Sequence, residues 1–131
     1  MADLKSVGLF AGLPEKELKR ISREITEVSH PADKKVMATG STGVGFMIVL
    51  DGELDVVTPS GATFRLGPGD HFGEMALLDH MGRSADVISR TPVKLAAVAE
   101  WEFKPFLEAH PEIAYRLLQR LSVRLREANA D

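Results

Sequence analysis

The sequence has no cysteine among its 131 residues. This absence excludes disulfide bonds, zinc sites built from thiolates and cysteine nucleophiles, and it fits a reducing cytosol. An excess of positive charge is also missing, because 16 Lys and Arg stand against 19 Asp and Glu, which gives a net charge of −3. A weakly acidic chain lacks the basic surface that non-specific nucleic-acid binding needs. Direct binding to nucleic acid is therefore not expected.

Targeting signals and long apolar runs are absent as well. The first residues, Met1 to Lys5, do not form the basic and then apolar pattern of a signal peptide. The apolar run from Phe46 to Leu50 is far shorter than the roughly 20 residues that span a bilayer. We therefore expect a soluble, cytoplasmic protein without a membrane anchor of its own.

The residues that are present describe one ordinary folded domain. Hydrophobic residues make up 44% of the chain and charged residues 27%, so enough apolar surface exists to offset chain entropy. A chain of this length builds one hydrophobic core comfortably and two only with difficulty. The sequence predicts a single domain.

Helical periodicity marks both ends of the chain. In the first segment, Pro14 stands at an early helical position and His30-Pro31 ends the pattern. The apolar positions between them have helical spacing: Leu18, Ile21, Ile25 and Val28. Residues 100–109 predict a short helix that contains Pro105, and His110-Pro111 breaks it. A last amphipathic helix follows, with its apolar stripe at Ile113, Leu117, Leu121 and Leu125.

Between residues 31 and 99 the pattern changes to short apolar runs separated by turn residues. The runs are Val36 to Ala38, Phe46 to Leu50, Leu54 to Thr58, Thr63 to Leu66, Ala85 to Ser89 and Val93 to Val98. Strands at such intervals predict an all-β sandwich or barrel rather than βαβ units.

Two further stripes on the last helix allow more than one interpretation. Arg116, Arg120 and Arg124 are expected to form a solvated face that complements the dipole at the helix C-terminus. Leu117, Leu118 and Leu121 are most simply core residues. The apolar stripe from Ile113 to Leu125 could alternatively pair with a second helix in a dimer.

One segment carries chemistry that the strand pattern does not need. It runs from Gly69 to Leu78 and continues from Gly82 to Val87. An ionised Glu74 accepts hydrogen bonds only and suits a hydroxyl pair, whereas Arg83 can fork onto two phosphate oxygens. The Ser84 hydroxyl and the N–H groups of Ser84 and Ala85 complete an anion cradle. A ligand with a phosphate and free hydroxyls would satisfy all of them.

These residues resemble the phosphate-binding cassette of cyclic nucleotide-binding domains. The resemblance lies in Phe72-Gly73-Glu74-Met75-Ala76-Leu77-Leu78 and in Arg83-Ser84-Ala85, with eight residues between Glu74 and Arg83. It extends over nearly the whole chain. It implies a mainly β fold, a jelly-roll-like β-roll with one N-terminal helix and two C-terminal helices. The expected parts are an N-terminal helical part (1–30), the barrel with the cassette (31–99), and hinge and lid helices (100–131).

The resemblance also implies roles for individual residues. Glu74 would bind the ribose 2′-hydroxyl, Arg83 would pair with the cyclic phosphate, and Gly73 would admit the ribose. The N–H groups of Ala76 and Ala85 and the Ser84 side chain would complete the phosphate site. The ligand-binding set is Phe72, Gly73, Glu74, Met75, Ala76, Arg83, Ser84 and Ala85. The last helix would close over the purine, with Leu118 as the candidate cap, while Trp101 and Tyr115 could instead lie at the hinge.

The implied function is a non-catalytic sensor of a cyclic nucleotide, with cAMP preferred and cGMP possible. His71 beside Glu74 suggests a metal, but the His-X-His pair of metal-binding cupins is missing, so no metal or cofactor is expected. The implied partner is an effector protein or domain that this chain does not contain, reached in trans or as part of a longer protein. The chain would be a monomer, or a dimer through its last helix. The alternative is a degenerate module of the same fold that binds no nucleotide and serves interaction or dimerisation.

Overall fold

The computed structural model describes residue 4 and residues 7–37, 45–74 and 85–128. A 3-10 turn, Gly8–Phe10, leads into helix α1, Glu15–Glu24. The strands are β1 Thr26–His30, β2 Lys35–Met37, β3 Phe46–Asp51, β4 Leu54–Val57, β5 Thr63–Leu66, β6 His71–Phe72, β7 Asp86–Ser89 and β8 Val93–Val98. Helices α2, Glu100–Ala109, and α3, Pro111–Ala128, follow them.

The eight strands form two antiparallel four-stranded sheets. Their orders are β1-β8-β3-β6 and β2-β7-β4-β5. Along β3 the side chains alternate between two cores, as the two-residue period of a strand requires. Met47 and Val49 pack between the sheets, whereas Phe46 and Ile48 pack under the helices. This arrangement confirms the predicted β-roll with flanking helices.

The first helix is shorter than the sequence pattern predicted. It ends at Glu24, and Ile25 already has an extended backbone. Residues Thr26–His30 pair with β8, from Thr26 opposite Ala97 to His30 opposite Val93. The apolar positions Ile25 and Val28 fit both a helical and an extended pattern. Pairing with the neighbouring strand decides between the two, so the helical interpretation of this stretch was wrong.

The other elements lie close to their predicted positions. Strands β5 and β8 coincide with their apolar runs, and α2 occupies residues 100–109 with Pro105 inside. Strand β6 was not predicted, because its two residues give no periodic signal. The α3 stripe is only partly buried: Ile113 and Leu117 lie in the core, but Leu125 is 63% exposed. A dimer through this helix stays a prediction.

His110 lies between α2 and α3, and its side chain contacts α1. Its backbone N–H donates to the carbonyls of Phe106 and Leu107, and its own carbonyl accepts from Ile113 and Ala114. Its fully buried ring places Nδ1 3.0 Å from Glu17 Oε1 and Nε2 2.7 Å from Glu24 Oε2. The direction in which α3 leaves the joint is thus fixed by α1.

None of the helices in the described ranges combines the length and the hydropathy of a membrane span.

Candidate functional site

The site is built on a tight turn that leads into β6. Asp70 Oδ2 accepts a 2.8 Å hydrogen bond from the Gly67 N–H, which closes the turn. The Val49 N–H then donates to the Asp70 carbonyl, and the Gly69 N–H donates to the Val49 carbonyl, each at 2.8 Å. These bonds add β6 to the edge of β3. The residues that follow β6 are thereby held at the edge of the first sheet.

Glu74 lies two residues after the end of this edge strand. Gly73 has a φ of 96°, in the left-handed region that glycine adopts at little cost. The chain therefore turns sharply here. The Glu74 side chain is only 1% exposed, and the neighbouring His71 side chain is completely buried. The His71 ring packs on Phe46, with 5.6 Å between ring centroids. A buried carboxylate thus lies at the start of the sequence that resembles the cassette.

Two basic side chains surround one oxygen of that carboxylate. Arg124 on α3 donates a 2.8 Å hydrogen bond from Nη1 to Glu74 Oε1. Nδ1 of His71 lies 3.2 Å from the same oxygen, within ion-pair distance but outside hydrogen-bond geometry. Among the described residues, Glu74 Oε2 is buried and has no hydrogen-bond partner. One oxygen of Glu74 therefore has basic neighbours, whereas the other has no hydrogen-bond partner among the described residues.

The electrostatic balance favours the ionised form of Glu74. Burial alone raises the pKa of this carboxyl, because it penalises the charged form. The adjacent His71 ring, the backbone N–H of Glu74 itself and the Arg124 guanidinium together outweigh that effect, and the pKa is lowered from its ordinary value. At neutral pH the group is an anion that accepts hydrogen bonds from a donor.

Three arginines of α3 donate hydrogen bonds to other parts of the molecule. These contacts were not predicted from the sequence. Arg116 donates to the carbonyls of Leu9 and Ala11 at 2.9 and 2.7 Å. Arg120 donates to the Gly69 carbonyl at 3.3 Å. Arg124 completes the row, so the expectation of a merely solvated face was wrong. Side chains four residues apart share one helix face, and this face points at carbonyl groups and at Glu74.

The remaining predicted site residues divide into three groups. Phe72 lies in the core between the sheets, and Ala85 is buried directly before β7. Leu118 is 63% exposed, so its interpretation as a core residue was wrong; its role as a cap stays a prediction. The predicted contacts that lie outside the described residues are Met75, Ala76, Arg83 and Ser84.

The predicted hinge aromatics are both on the surface. Trp101 is 78% exposed on α2 and Tyr115 58% exposed on α3. A metal site finds no support in the described ranges, where no group of three or more His, Cys, Asp or Glu side chains comes together. His71 and Glu74 offer only two ligands.

Sequence reasoning missed Arg124 and the position of His71. The available signal was the four-residue period of the arginines, which runs beside the buried positions Ile113 and Leu117. A basic row on the edge of a buried stripe can reach the neighbouring element, because long side chains extend over an interface.

Comparisons with known proteins agree with this geometry. The sequence model of the cyclic nucleotide-binding domain matches residues 27–110. The chain belongs to the cyclic nucleotide-binding domain family. It is 32% identical over 117 residues to a cAMP-dependent protein kinase regulatory subunit of Aspergillus niger, covering 88% of this chain and 28% of that protein.

Solved structures of the same fold are also similar. The crystal structure of the Thermus thermophilus catabolite activator protein aligns with a TM-score of 0.83 and 30% identity, covering 93% of this chain and 60% of that one. A second solved structure comes from a cyclic-GMP-dependent signalling pathway that regulates bacterial phytopathogenesis. It aligns with a TM-score of 0.72 and 27% identity, covering 88% of this chain and 95% of that one. The chain covers between 20% and 62% of the length of the curated relatives that it matches.

Proposed function

We propose that this cyclic nucleotide-binding domain takes cAMP as its preferred ligand and acts as a regulatory sensor rather than as an enzyme. The observation that carries the proposal is Glu74, an anion that is 1% exposed, with one oxygen that lacks a partner among the described residues. A buried acceptor without a donor is unfavourable, and a ligand hydroxyl would supply the donor. The similarity to the regulatory subunit of a cAMP-dependent protein kinase supports this choice of ligand.

The proposed contacts divide the ligand between two parts of the cassette. Glu74 accepts the ribose 2′-hydroxyl, and Gly73 leaves room for the ribose. Arg83 pairs with the cyclic phosphate, and Ser84 and the Ala85 N–H complete that site. The backbone N–H of Ala76 contributes as well. This division requires a free hydroxyl and an anion in one ligand.

The proposed output is a change in the position of α3, read by an effector outside this chain or in another part of a longer protein. A ligand shifts such an equilibrium only by its differential affinity for the two positions. We further propose a cytoplasmic location, where such a regulator would meet its ligand. The identity of the effector stays a prediction.

The first experiment is a calorimetric titration of the purified chain with cAMP, cGMP and 5′-AMP. We expect cAMP to bind in the micromolar range or tighter, about 8 kcal/mol or more. The acyclic 5′-AMP should not bind, and Arg83→Ala should abolish binding of cAMP. An Arg90→Ala variant is the matched control, because Arg90 pairs with Asp55 on the other sheet. No heat and no thermal stabilisation with any cyclic nucleotide would refute the proposal.

The same titration decides between the two bases. The solved relative from a cyclic-GMP-dependent pathway makes cGMP the competing ligand. The Ser84 hydroxyl could reach a guanine amino group, although less well than the threonine found in many relatives that prefer cGMP. Tighter binding of cGMP than of cAMP would replace the ligand and leave the proposed cassette intact.

A second candidate is a module of the same fold that binds no nucleotide and pairs through α3. The observation in its favour is the exposed apolar face of that helix, formed by Tyr115, Leu118 and Leu125. These positions have the three- and seven-residue spacing of a helical seam. Sedimentation of the wild type and of Leu125→Glu, each with and without cAMP, tests it. A dimer that Leu125→Glu dissociates, with no effect of cAMP, would favour this candidate.

A further inference from the structure

A buried histidine lies at the joint between α2 and α3, outside the proposed ligand site. The His110 ring is completely buried, and each of its nitrogens lies within hydrogen-bond distance of a different carboxylate. Nδ1 lies 3.0 Å from Oε1 of Glu17, and Nε2 lies 2.7 Å from Oε2 of Glu24. Because the two carboxylates face different nitrogens of the ring, they do not form a common metal site in the described ranges.

These two contacts require one proton more than a neutral ring supplies. A neutral imidazole has one N–H donor and one acceptor nitrogen, whereas an ionised carboxylate only accepts hydrogen bonds. A neutral His110 would donate to one carboxylate, and its other nitrogen would turn a lone pair toward the second. An imidazolium donates from both nitrogens and satisfies both contacts. The geometry therefore fits a joint that holds a bound proton.

The charged groups that face the ring come from α1. Glu17 and Glu24 are seven residues apart, so they share one face of that helix. Their side chains are 28% and 34% exposed, which lets water help to keep them ionised, and among the described residues neither pairs with Lys or Arg. From α2 the ring meets Phe106, which is uncharged, and no charged side chain of α3 in the described range lies at ion-pair distance from it. A proton on His110 would be the positive charge that offsets the two carboxylates.

We infer that His110 is a proton-dependent clamp, which holds α1 against the joint of α2 and α3 while its ring carries a proton and releases α1 when that proton is lost. Loss of the proton leaves a lone pair facing a carboxylate in a buried contact, which is unfavourable. A histidine in an unfolded chain loses its proton at about pH 6.5. The clamp therefore stabilises the fold fully below that pH, and the stabilisation is lost as the pH rises and the folded joint gives up its proton.

The first test follows unfolding in urea from about pH 6 to about pH 9 for the wild type and for His110→Gln, whose amide does not titrate. The folding equilibrium constant of the wild type, relative to His110→Gln, should fall by up to about tenfold for each pH unit, because one bound proton is involved. His30→Gln is the matched control. Burial and Lys34 lower the pKa of His30, so the wild-type advantage over this variant should not fall as the pH rises.

A second measurement reads the proton directly, in the wild type, by the 15N NMR signals of the imidazole ring. These signals distinguish a nitrogen that carries a proton from one that carries a lone pair. We expect both nitrogens of His110 to carry protons at neutral pH. The second proton should be lost at a lower pH in Glu24→Gln, because the glutamine amide can donate to the ring's lone pair. Glu108→Gln, at an exposed carboxyl on α2, is the control and should leave the signals unchanged.

Hydrogen exchange reads the release of α1. Protection of the backbone amides of α1, taken relative to those of β8 at the same pH, should fall in the wild type once His110 loses its proton. In His110→Gln it should be low at every pH. Comparing two segments at one pH removes the general dependence of exchange on pH.

Four results would overturn the inference. A single protonated nitrogen in the wild type at neutral pH would show that the joint holds a neutral ring. Loss of the second proton at the same pH in Glu24→Gln would show that this carboxylate does not hold it. A wild-type advantage over His110→Gln that stays constant with pH would show that the ring acts through packing alone, and unchanged relative protection of α1 would show that nothing is released. None of these measurements uses a nucleotide, so they judge the clamp independently of the proposed function.

Discussion

Arg124 on the C-terminal helix hydrogen-bonds Glu74, a buried carboxylate 50 residues earlier in the chain, over 2.8 Å. The bond connects the element that is expected to move with the residue that is expected to hold the ribose. Burial and ionic partners act on Glu74 in opposite directions, and the partners prevail, so its pKa is lowered. The site and the helix therefore share one electrostatic contact.

The orientation of α3 can be tested by two neighbouring leucines. Leu117 is 3% exposed and Leu118 63% exposed, although both are leucines on the same helix. Leu117→Ala should lower the free energy of unfolding by roughly 2–4 kcal/mol, because it leaves a cavity in the core. Leu118→Ala should change it by less than about 0.5 kcal/mol. If the two variants lose equal free energy of unfolding in chemical denaturation, α3 does not bury Leu117 in preference to Leu118.

The joint at His110 should contribute strongly to stability. His110→Ala removes the contacts with Glu17 and Glu24 and the packing on Phe106, whose ring centroid lies 5.0 Å away. We expect a loss of roughly 2–4 kcal/mol in the free energy of unfolding. His30→Ala, at a partly exposed histidine on β1, is the control and should have a much smaller effect. A stable His110→Ala variant would mean that α1 does not fix the joint.

Asp55 on the second sheet predicts a defined pH dependence. Hydrogen bonds from Arg90 and Arg65, at 2.8 and 2.6 Å, lower the pKa of this carboxyl from its ordinary value of 3.8. A lowered pKa in the folded state stabilises the protein above the unfolded-state pKa. The stabilisation is lost as the pH falls through the folded-state pKa.

Asp55→Asn should therefore lower the Tm at pH 7, and the difference from wild type should shrink as the pH falls below about 4. Glu27→Gln is the control, at an exposed carboxyl on β1 for which no such difference is expected. A Tm difference between Asp55→Asn and wild type that stays constant down to pH 2.5 would contradict the ion-pair account.

The fold could be predicted from the sequence where one pattern prevailed. The runs that became β5 and β8 were bounded by turn residues on both sides, and their limits were correct. Ile25 and Val28 fit two periods, and only pairing with β8 selected the strand. The two residues of β6 are too few for any pattern, because their place depends on hydrogen bonds to β3.

The candidate site divides in a similar way. Glu74 could be proposed from the sequence, because Phe72-Gly73-Glu74 resembles the start of the family's cassette and Arg83-Ser84-Ala85 follows at the matching spacing. Its contact with Arg124 could not, because it depends on how α3 crosses the roll. The direction of α3 follows from the His110 joint and from the burial of Ile113. Sequence periodicity shows which face of α3 is apolar, but it does not show which distant residue that helix contacts.

An NMR titration of the 15N-labelled chain with cAMP tests most directly whether Glu74 binds the ligand and whether α3 responds to it. We expect the Glu74 backbone amide and the Arg124 side-chain Nε–H to shift together and to saturate at one equivalent of cAMP, while 5′-AMP moves neither signal. Saturable shifts in the cassette with an unmoved Arg124 signal would contradict the coupling to α3. No saturable shift at Glu74 with cAMP or cGMP would contradict the proposed ligand site itself.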